Sequence, residues 1–179
     1  FSIRHTKKEV LPELPDKTYQ TIYVDLTPKQ RKAYDEMKQY MYAELDQEEV
    51  EVPNIVSQLM RLRQITLTPQ LAGFENNESA KLPALLEIIQ ERVLANKQTV
   101  VMSEFKQWID IVEEALNRNN IKSVRITGAE NHEQQRKSQQ IFQNGQAQVA
   151  LCTIKAAGLG IDLTAADMVI FTDISWNDT

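Results

Sequence analysis

The most informative part of the chain is Leu151-Cys-Thr-Ile-Lys-Ala-Ala-Gly-Leu-Gly-Ile-Asp-Leu-Thr-Ala-Ala-Asp-Met-Val-Ile-Phe-Thr-Asp-Ile-Ser-Trp-Asn177. Two short apolar segments, Gln148 to Cys152 and Met168 to Thr172, flank a loop in this stretch, and both are typical of strands covered on both faces of a parallel sheet. A loop in that position commonly handles a ligand. Spacing alone leaves two interpretations open, because two glycines two residues apart fall short of a nucleotide fingerprint: the loop binds a ligand, or it merely turns the chain.

The loop carries residue types that can contact a ligand. Gly158 and Gly160 allow a close approach of the backbone to a partner. Thr153, Lys155 and Asp162 supply a hydroxyl, a cation and a carboxylate. The residues of this loop are therefore the first candidates for a functional site.

The composition is that of an ordinary globular protein. The 179 residues are 42% hydrophobic, with a formal charge of -5, so phosphate binding requires a local cluster of cations. No apolar run approaches the roughly 20 residues that cross a bilayer, and no signal-type segment is visible, so we expect no membrane contact. The expected location is intracellular: cytoplasm or nucleoid in a bacterium, nucleus in a eukaryote.

One cysteine, Cys152, and two separated histidines, His5 and His132, form no zinc-type set, so no metal site is expected.

The first part of the chain, residues 1–78, predicts a helical extension without a sheet of its own. Residues 20–26 alternate apolar and polar side chains, which predicts one amphipathic strand. Thr27, Pro28 and Gln30 then form a helix start with a capping hydroxyl, a proline at the first helical position and a glutamine three residues after the cap.

A second helix is predicted from Pro53 to about Ile65, and it carries Arg61 and Arg63. These arginines either bind phosphate, brace a neighbouring domain or remain solvated. A turn-rich segment from Leu67 to Glu78 marks the boundary to the second part of the chain.

The second part, residues 79–179, alternates helices and strands. The pattern predicts an α/β fold, in which helices cover the faces of a parallel sheet. The predicted strands are Thr99 to Ser103, Ser123 to Thr127, Gln148 to Cys152 and Met168 to Thr172.

Ligands of such sheets bind where strands end at the carboxyl edge. Three segments meet this criterion: Ser103-Glu104-Phe105, Thr127-Gly128 and Thr153 through Asp162. A fourth, Asp173 to Asn177, contains Trp176, which either stacks on a base or sugar or covers the core.

Several ordered blocks together resemble the Swi/Snf-type, DNA-dependent ATPase motors of helicase superfamily two. Near the start, Ile3-Arg-His-Thr-Lys-Lys-Glu-Val-Leu-Pro-Glu-Leu-Pro15 resembles the segment that links the two motor lobes. Leu26-Thr-Pro-Lys-Gln-Arg31 and Leu59-Met-Arg-Leu-Arg-Gln-Ile65 resemble its helical extension. Ser79-Ala-Lys-Leu82 resembles the entry to lobe two, and Val100-Val-Met-Ser-Glu-Phe105 and Thr153-Ile-Lys-Ala-Ala-Gly-Leu-Gly-Ile-Asp-Leu-Thr164 resemble the fourth and fifth motifs.

The resemblance implies a RecA-like C-terminal lobe, of the kind related to P-loop NTPases, after an interlobe linker and helical extension. It further implies a translocase or remodeller of double-stranded DNA whose second lobe closes on ATP held by the first lobe. Residues expected to face the nucleotide are Gly158, Gly160 and Asp162. Residues expected to contact the DNA backbone, without reading its sequence, are Ser103, Thr153, Lys155 and Trp176.

The chain departs from the family pattern at His5, Ala157 and Asp162, where the family usually has arginine, glycine and often asparagine. It also has no Gly-x4-Gly-Lys-Ser/Thr phosphate loop, no acidic metal-binding box and no sixth motif with its arginines. We therefore expect an incomplete lobe in which ATP and Mg²⁺ need a first lobe, and which is inactive in isolation.

Two other classes of protein are alternatives to the motor. A free-standing module could use a helicase-like lobe to dock on nucleic acid or on a partner protein without any ATPase role. A Rossmann-type enzyme is disfavoured, because the first strand-helix turn lacks the Gly-x-Gly-x-x-Gly fingerprint.

Overall fold

Helices and a four-stranded sheet account for most of the computed structural model, which describes residues 17–45, 52–158 and 161–174. The strands are β1 (Gln98–Ser103), β2 (Ser123–Ile126), β3 (Val149–Thr153) and β4 (Ala166–Phe171). The helices are α1 (Pro28–Leu45), α2 (Val52–Leu67), α3 (Lys81–Leu94), α4 (Lys106–Arg118), α5 (His132–Gln143) and the single turn α6 (Ile154–Ala157), with a 3-10 turn at Pro69–Ala72.

The sheet is parallel throughout, in the order β2-β3-β1-β4. All four predicted strands are present, with ends shifted by one or two residues. Helices α3 and α4 cover one face, where Val101 and Leu151 join the main core with Trp108. Helix α5 packs on the other face, over Val100 and Cys152. The predicted α/β fold is confirmed.

Strand β4 differs from the expectation that it is covered on both faces. Its residues alternate between partly buried and exposed, and Val169 and Phe171 are 48% and 57% exposed. Val169 is in register with Val100, so it lies on the α5 side of the sheet. In the described part of the chain α5 contacts β2 on this face, whereas Val169 and Phe171 of β4 stay largely exposed.

The amino-terminal extension contains a helical pair. The predicted start of α1 is confirmed, because the Gln30 amide nitrogen donates to Thr27 Oγ1 at 3.2 Å and the Thr27 amide nitrogen donates to Gln30 Oε1 at 3.3 Å. Helix α1 packs on α2 through Met37 and Ile65.

The predicted strand at residues 20–26 is wrong. These residues form no strand, and Ile22 and Tyr23 are 54% and 92% exposed. Alternating side chains make a strand only when a neighbouring strand offers hydrogen bonds, and none of the described strands lies beside this segment.

Candidate functional site at the carboxyl edge of the sheet

A groove of about 440 Å³ lies at the carboxyl edge of the sheet. It is formed where β1, β2 and β3 end, and residues from each of the three segments predicted at this edge line it. The residues that line it are Glu104, Lys106, Gly128, Ala129, Gln135, Thr153, Lys155 and Ala156.

The floor of the groove comes from the end of β3 and from α6. Thr153 is the last residue of the strand and is 8% exposed, whereas Lys155 is exposed one residue into the helical turn. Lys106, at the start of α4, contributes a second ammonium group, and its Nζ lies 3.2 Å from Asp110 Oδ2. A hydroxyl and two ammonium groups along one groove suit an anion such as phosphate.

One wall of the groove is the turn after β2, and Glu130 fixes its conformation. Glu130 Oε2 accepts hydrogen bonds from the Thr127 amide nitrogen at 2.6 Å and from Thr127 Oγ1 at 2.7 Å. Gln135 Nε2 donates to the Thr127 carbonyl at 2.7 Å. Gly128 and Ala129 are therefore held in place along the groove by bonds that the sequence motifs did not indicate.

The pKa of Glu130 lies below its ordinary value. Burial acts to raise this pKa, but the hydrogen bonds from Thr127 and the charge of Arg125 together outweigh burial. Arg125 is itself surrounded by carboxylates, at 2.7 Å from Asp110, 2.8 Å from Glu113 and 3.4 Å from Glu130. The ionised form of Glu130 is thus the form that holds the turn.

Ser103 ends β1 but does not present its hydroxyl to the groove. The residue is fully buried, its Oγ donates to Asp173 Oδ2, and the same Oγ accepts from the Phe105 amide nitrogen at 3.0 Å. Asp173 Oδ1 accepts from the Glu104 amide nitrogen at 3.0 Å. Ser103 and Asp173 therefore join the ends of β1 and β4, and a contact of Ser103 with DNA remains a prediction.

Arg63 connects the helical extension to this edge of the sheet. Its Nη1 lies 2.7 Å from Glu104 Oε2 and its Nη2 lies 3.5 Å from Asp173 Oδ1. Of the three interpretations that the sequence leaves open for these arginines, the ion pairs of Arg63 favour a brace, whereas Arg61 is exposed. Lys81 adds a hydrogen bond from Nζ to the Thr172 carbonyl at 2.9 Å. Burial lowers the pKa of Lys81, against the opposing effect of Asp173.

Gly158 and Asp162, two of the three residues predicted to face a nucleotide, do not line the groove. Gly158 ends α6 and is exposed, with its amide nitrogen donating to the Ile154 carbonyl at 3.2 Å. Asp162 lies beside α5, where its carbonyl accepts from Gln139 Nε2 at 2.9 Å, and its Oδ1 accepts from the Thr164 amide nitrogen at 3.2 Å. Gly160 and Trp176 lie outside the described residues. The roles of all four residues remain predictions.

The described residues do not by themselves fit ATP and Mg²⁺. No group of three His, Cys, Asp or Glu side chains within residues 17–45, 52–158 and 161–174 is arranged to hold a metal ion. The sequence also lacks a phosphate loop. Cys152 offers no nucleophile, because burial raises its pKa to about 12. We therefore derive no hydrolytic step from these residues.

A parallel sheet with a groove at its carboxyl edge, and a helical extension packed against it, agrees with the RecA-like second lobe that the sequence resemblance implies. Residues 80–179 match the helicase conserved C-terminal domain, and residues 1–71 match the SNF2-related domain. The chain belongs to the SNF2-related family of helicase-like proteins, as the sequence motifs predicted. None of the helices in the described part is long and apolar enough to cross a membrane.

Relatives and solved structures agree with this assignment. A Mycoplasma pneumoniae protein described as an uncharacterized ATP-dependent helicase is 32% identical over 99% of this chain, and the chain spans 17% of that relative. The chromatin-remodeling ATPase INO80 of Pyricularia oryzae is 32% identical over 81% of this chain, and the matched part is 8% of the length of that relative.

Two solved structures from Sulfolobus solfataricus share the fold. Its SWI2/SNF2 ATPase C-terminal domain has a TM-score of 0.77 at 26% identity, with 87% of this chain and 72% of that chain covered. Its SWI2/SNF2 ATPase core in complex with dsDNA has a TM-score of 0.79 at 26% identity, with 96% of this chain and 38% of that chain covered.

Proposed function

We propose that this chain is part of an ATP-driven translocase or remodeller that acts on double-stranded DNA inside the cell. In this proposal the lobe from residue 79 onward contacts the DNA backbone and closes on ATP and Mg²⁺ held by a first RecA-like lobe. The relatives described as ATP-dependent helicases and the archaeal relative solved with dsDNA support the proposal. The chain alone is expected not to hydrolyse ATP, and DNA-stimulated turnover by the purified chain would contradict that part.

The groove at the carboxyl edge is the observation that carries the proposal. Thr153, Lys155 and Lys106 line it together, although the chain as a whole has a formal charge of -5. A hydroxyl and two ammonium groups bind phosphate oxygens but carry no information about base sequence. A lobe that holds DNA in this way can track along the duplex without reading it.

Lys155 provides the direct test. We expect Lys155→Ala to weaken binding of a short duplex and to reduce the slope of log affinity against log salt by about 0.9, as expected for the loss of one phosphate contact. Fluorescence anisotropy at several salt concentrations, with two duplexes of unrelated sequence, measures both quantities. Both duplexes should respond alike, because phosphate contacts are independent of sequence.

Lys122→Ala is the matched control. Lys122 is exposed and immediately precedes β2, so it lies at the opposite edge of the sheet and carries the same charge. Its removal should leave the salt slope close to that of the unaltered chain. Equal effects of both substitutions, or no effect of Lys155→Ala at any salt concentration, would refute a phosphate contact in the groove.

A further inference from the structure

We propose that Arg63 is a positioning residue for the groove, where it neutralises Glu104 and thereby sets the affinity for a DNA phosphate. The inference rests on the proposed function, because it assumes that the groove binds the DNA backbone. It assigns a binding role to a helix that lies outside the sheet and does not line the groove.

Glu104 is the one carboxylate among the described residues that line the groove. It follows β1 directly, and its side chain is 21% exposed. A phosphate bound by Lys155 and Lys106 would lie in the same groove as this negative charge. Unless it is compensated, Glu104 repels the phosphate and competes with it for the lysines.

Arg63 supplies the compensating charge in a fixed geometry. Its Nη1 contacts Glu104 Oε2 at 2.7 Å, and the guanidinium carbon lies 5.5 Å from the centre of the Phe105 ring. Its Nη2 lies 3.5 Å from Asp173 Oδ1 and also donates to the Ile174 carbonyl. Contacts in several directions hold the planar guanidinium against Glu104 in a way that a freely rotating ammonium group would not reproduce.

The ion pair between Arg63 and Glu104 links two different parts of the chain. Arg63 belongs to α2 in the extension, whereas Glu104 belongs to the lobe. The net charge of the groove therefore depends on whether α2 is seated against the sheet. Displacement of α2 would expose the Glu104 carboxylate to the groove and weaken the hold on DNA.

Charge rescue tests the proposal. Arg63→Gln retains most of the side-chain stem but removes the charge, so duplex binding at low salt should weaken by about fivefold, as for one uncompensated charge. Adding Glu104→Gln to that variant should restore affinity to within about twofold of the unaltered chain. The loss should shrink at high salt, because exposed charges are then screened.

The matched control is Arg61→Gln, which removes the same charge from the exposed side of the same helix. It should weaken binding by less than twofold. A thermal melt of every variant identifies loss of folding. If Arg63→Gln does not fold, Glu104→Gln alone decides, because it should bind DNA at least as tightly as the unaltered chain.

Each result bears on one of the two proposals. Failure of the double variant to recover affinity, an Arg61→Gln loss as large as that of Arg63→Gln, or weaker binding by Glu104→Gln would overturn the role of Arg63 alone. No duplex binding by the unaltered chain would overturn the proposed DNA contact and, with it, this inference.

Discussion

Glu130 illustrates how a single side chain prepares the groove without touching a ligand. It accepts two hydrogen bonds from Thr127, and it lies 3.4 Å from Arg125. Hydrogen bonds to an ionised carboxylate are stronger than those to neutral groups. The conformation of the groove wall thus depends on the charge of a residue that sequence patterns gave no reason to select.

Replacing Glu130 by Gln should destabilise the chain at pH 7 by about 1–2 kcal/mol, because the charge-assisted bonds to Thr127 are lost. The pKa of Glu130 is lowered from its ordinary value of 4.5, so its contribution is present above pH 4.5 and is lost as the pH falls through the folded-state pKa. Urea unfolding at pH 7 and at lower pH measures the free energy of unfolding of the unaltered chain and of Glu130→Gln. The difference between these two values should shrink on acidification.

Glu133→Gln is the control for the loss of a carboxylate at the start of α5. Glu133 is exposed and lies in the first turn of that helix. The Glu133→Gln substitution should lower the free energy of unfolding by less than about 0.5 kcal/mol, as expected for a surface position. A Glu130→Gln penalty that does not change with pH would contradict the assignment of its effect to the ionised carboxylate.

Two helices begin with the same kind of capping box but in different surroundings. In α5, Asn131 and Gln134 exchange bonds of 2.8 and 3.0 Å at an exposed site. In α1, Gln30 is fully buried and also donates from Nε2 to the Ile65 carbonyl at 3.1 Å. Its Oε1 further accepts from the Ala80 amide nitrogen at 2.9 Å. One glutamine therefore joins the starts of α1 and α3 to the end of α2.

Gln30→Ala should destabilise the chain by about 2–3 kcal/mol, since it removes the reciprocal bond of the capping box and leaves the buried Ile65 carbonyl and the partly buried Ala80 amide without their partner. Gln134→Ala, which removes the reciprocal bond of the exposed capping box, should cost about 0.5–1 kcal/mol. Urea unfolding of both variants provides the comparison. Equal losses would show that the buried bonds of Gln30 add nothing to its role in the capping box.

The sequence predicted these elements where the signal is local. The capping box of α1 and all four strands follow from the spacing of neighbouring residues. Thr153 and Lys155 line the groove because they lie at and just after the end of β3. The strand predicted at residues 20–26 is absent, because alternating side chains form a strand only beside a partner strand, and no local pattern reveals whether one is there.

The remaining features of the site depend on tertiary contacts. The meeting of Arg63 with Glu104 joins residues far apart in the chain, so spacing offers no signal for it. Asp162 was predicted, from the fifth motif, to face a nucleotide. The chain returns to β4 along α5, however, and places Asp162 beside that helix. The burial of Ser103 likewise depends on Asp173, which pairs with it only after β1 and β4 come together.

At the scale of the molecule, the extension and the lobe share one core. Leu67, the last residue of α2, is fully buried in the same cluster as Ile89 and Trp108. Gln30 and Arg63 add polar links across the same boundary. The division into residues 1–78 and 79–179 remains a prediction from sequence, and these contacts predict that the two parts unfold together.

We expect a single unfolding transition. Far-UV circular dichroism reports all helices, and Trp108 fluorescence reports the core of the lobe, with Trp176→Phe used to leave one tryptophan. The two urea transitions should have the same midpoint, as two-state unfolding requires. Loss of helical signal before the change in Trp108 fluorescence would contradict the shared core.

The strand order also bears on how the chain acquires its structure during synthesis. Strand β1 is central, yet Val100 pairs with Ala150 and Val169, which leave the ribosome much later. Its apolar residues therefore have no strand partners while the intervening chain is made, and such high contact order slows folding. The nascent lobe exposes an unpaired apolar strand until β3 emerges, and this interval is when a chaperone would protect it from aggregation.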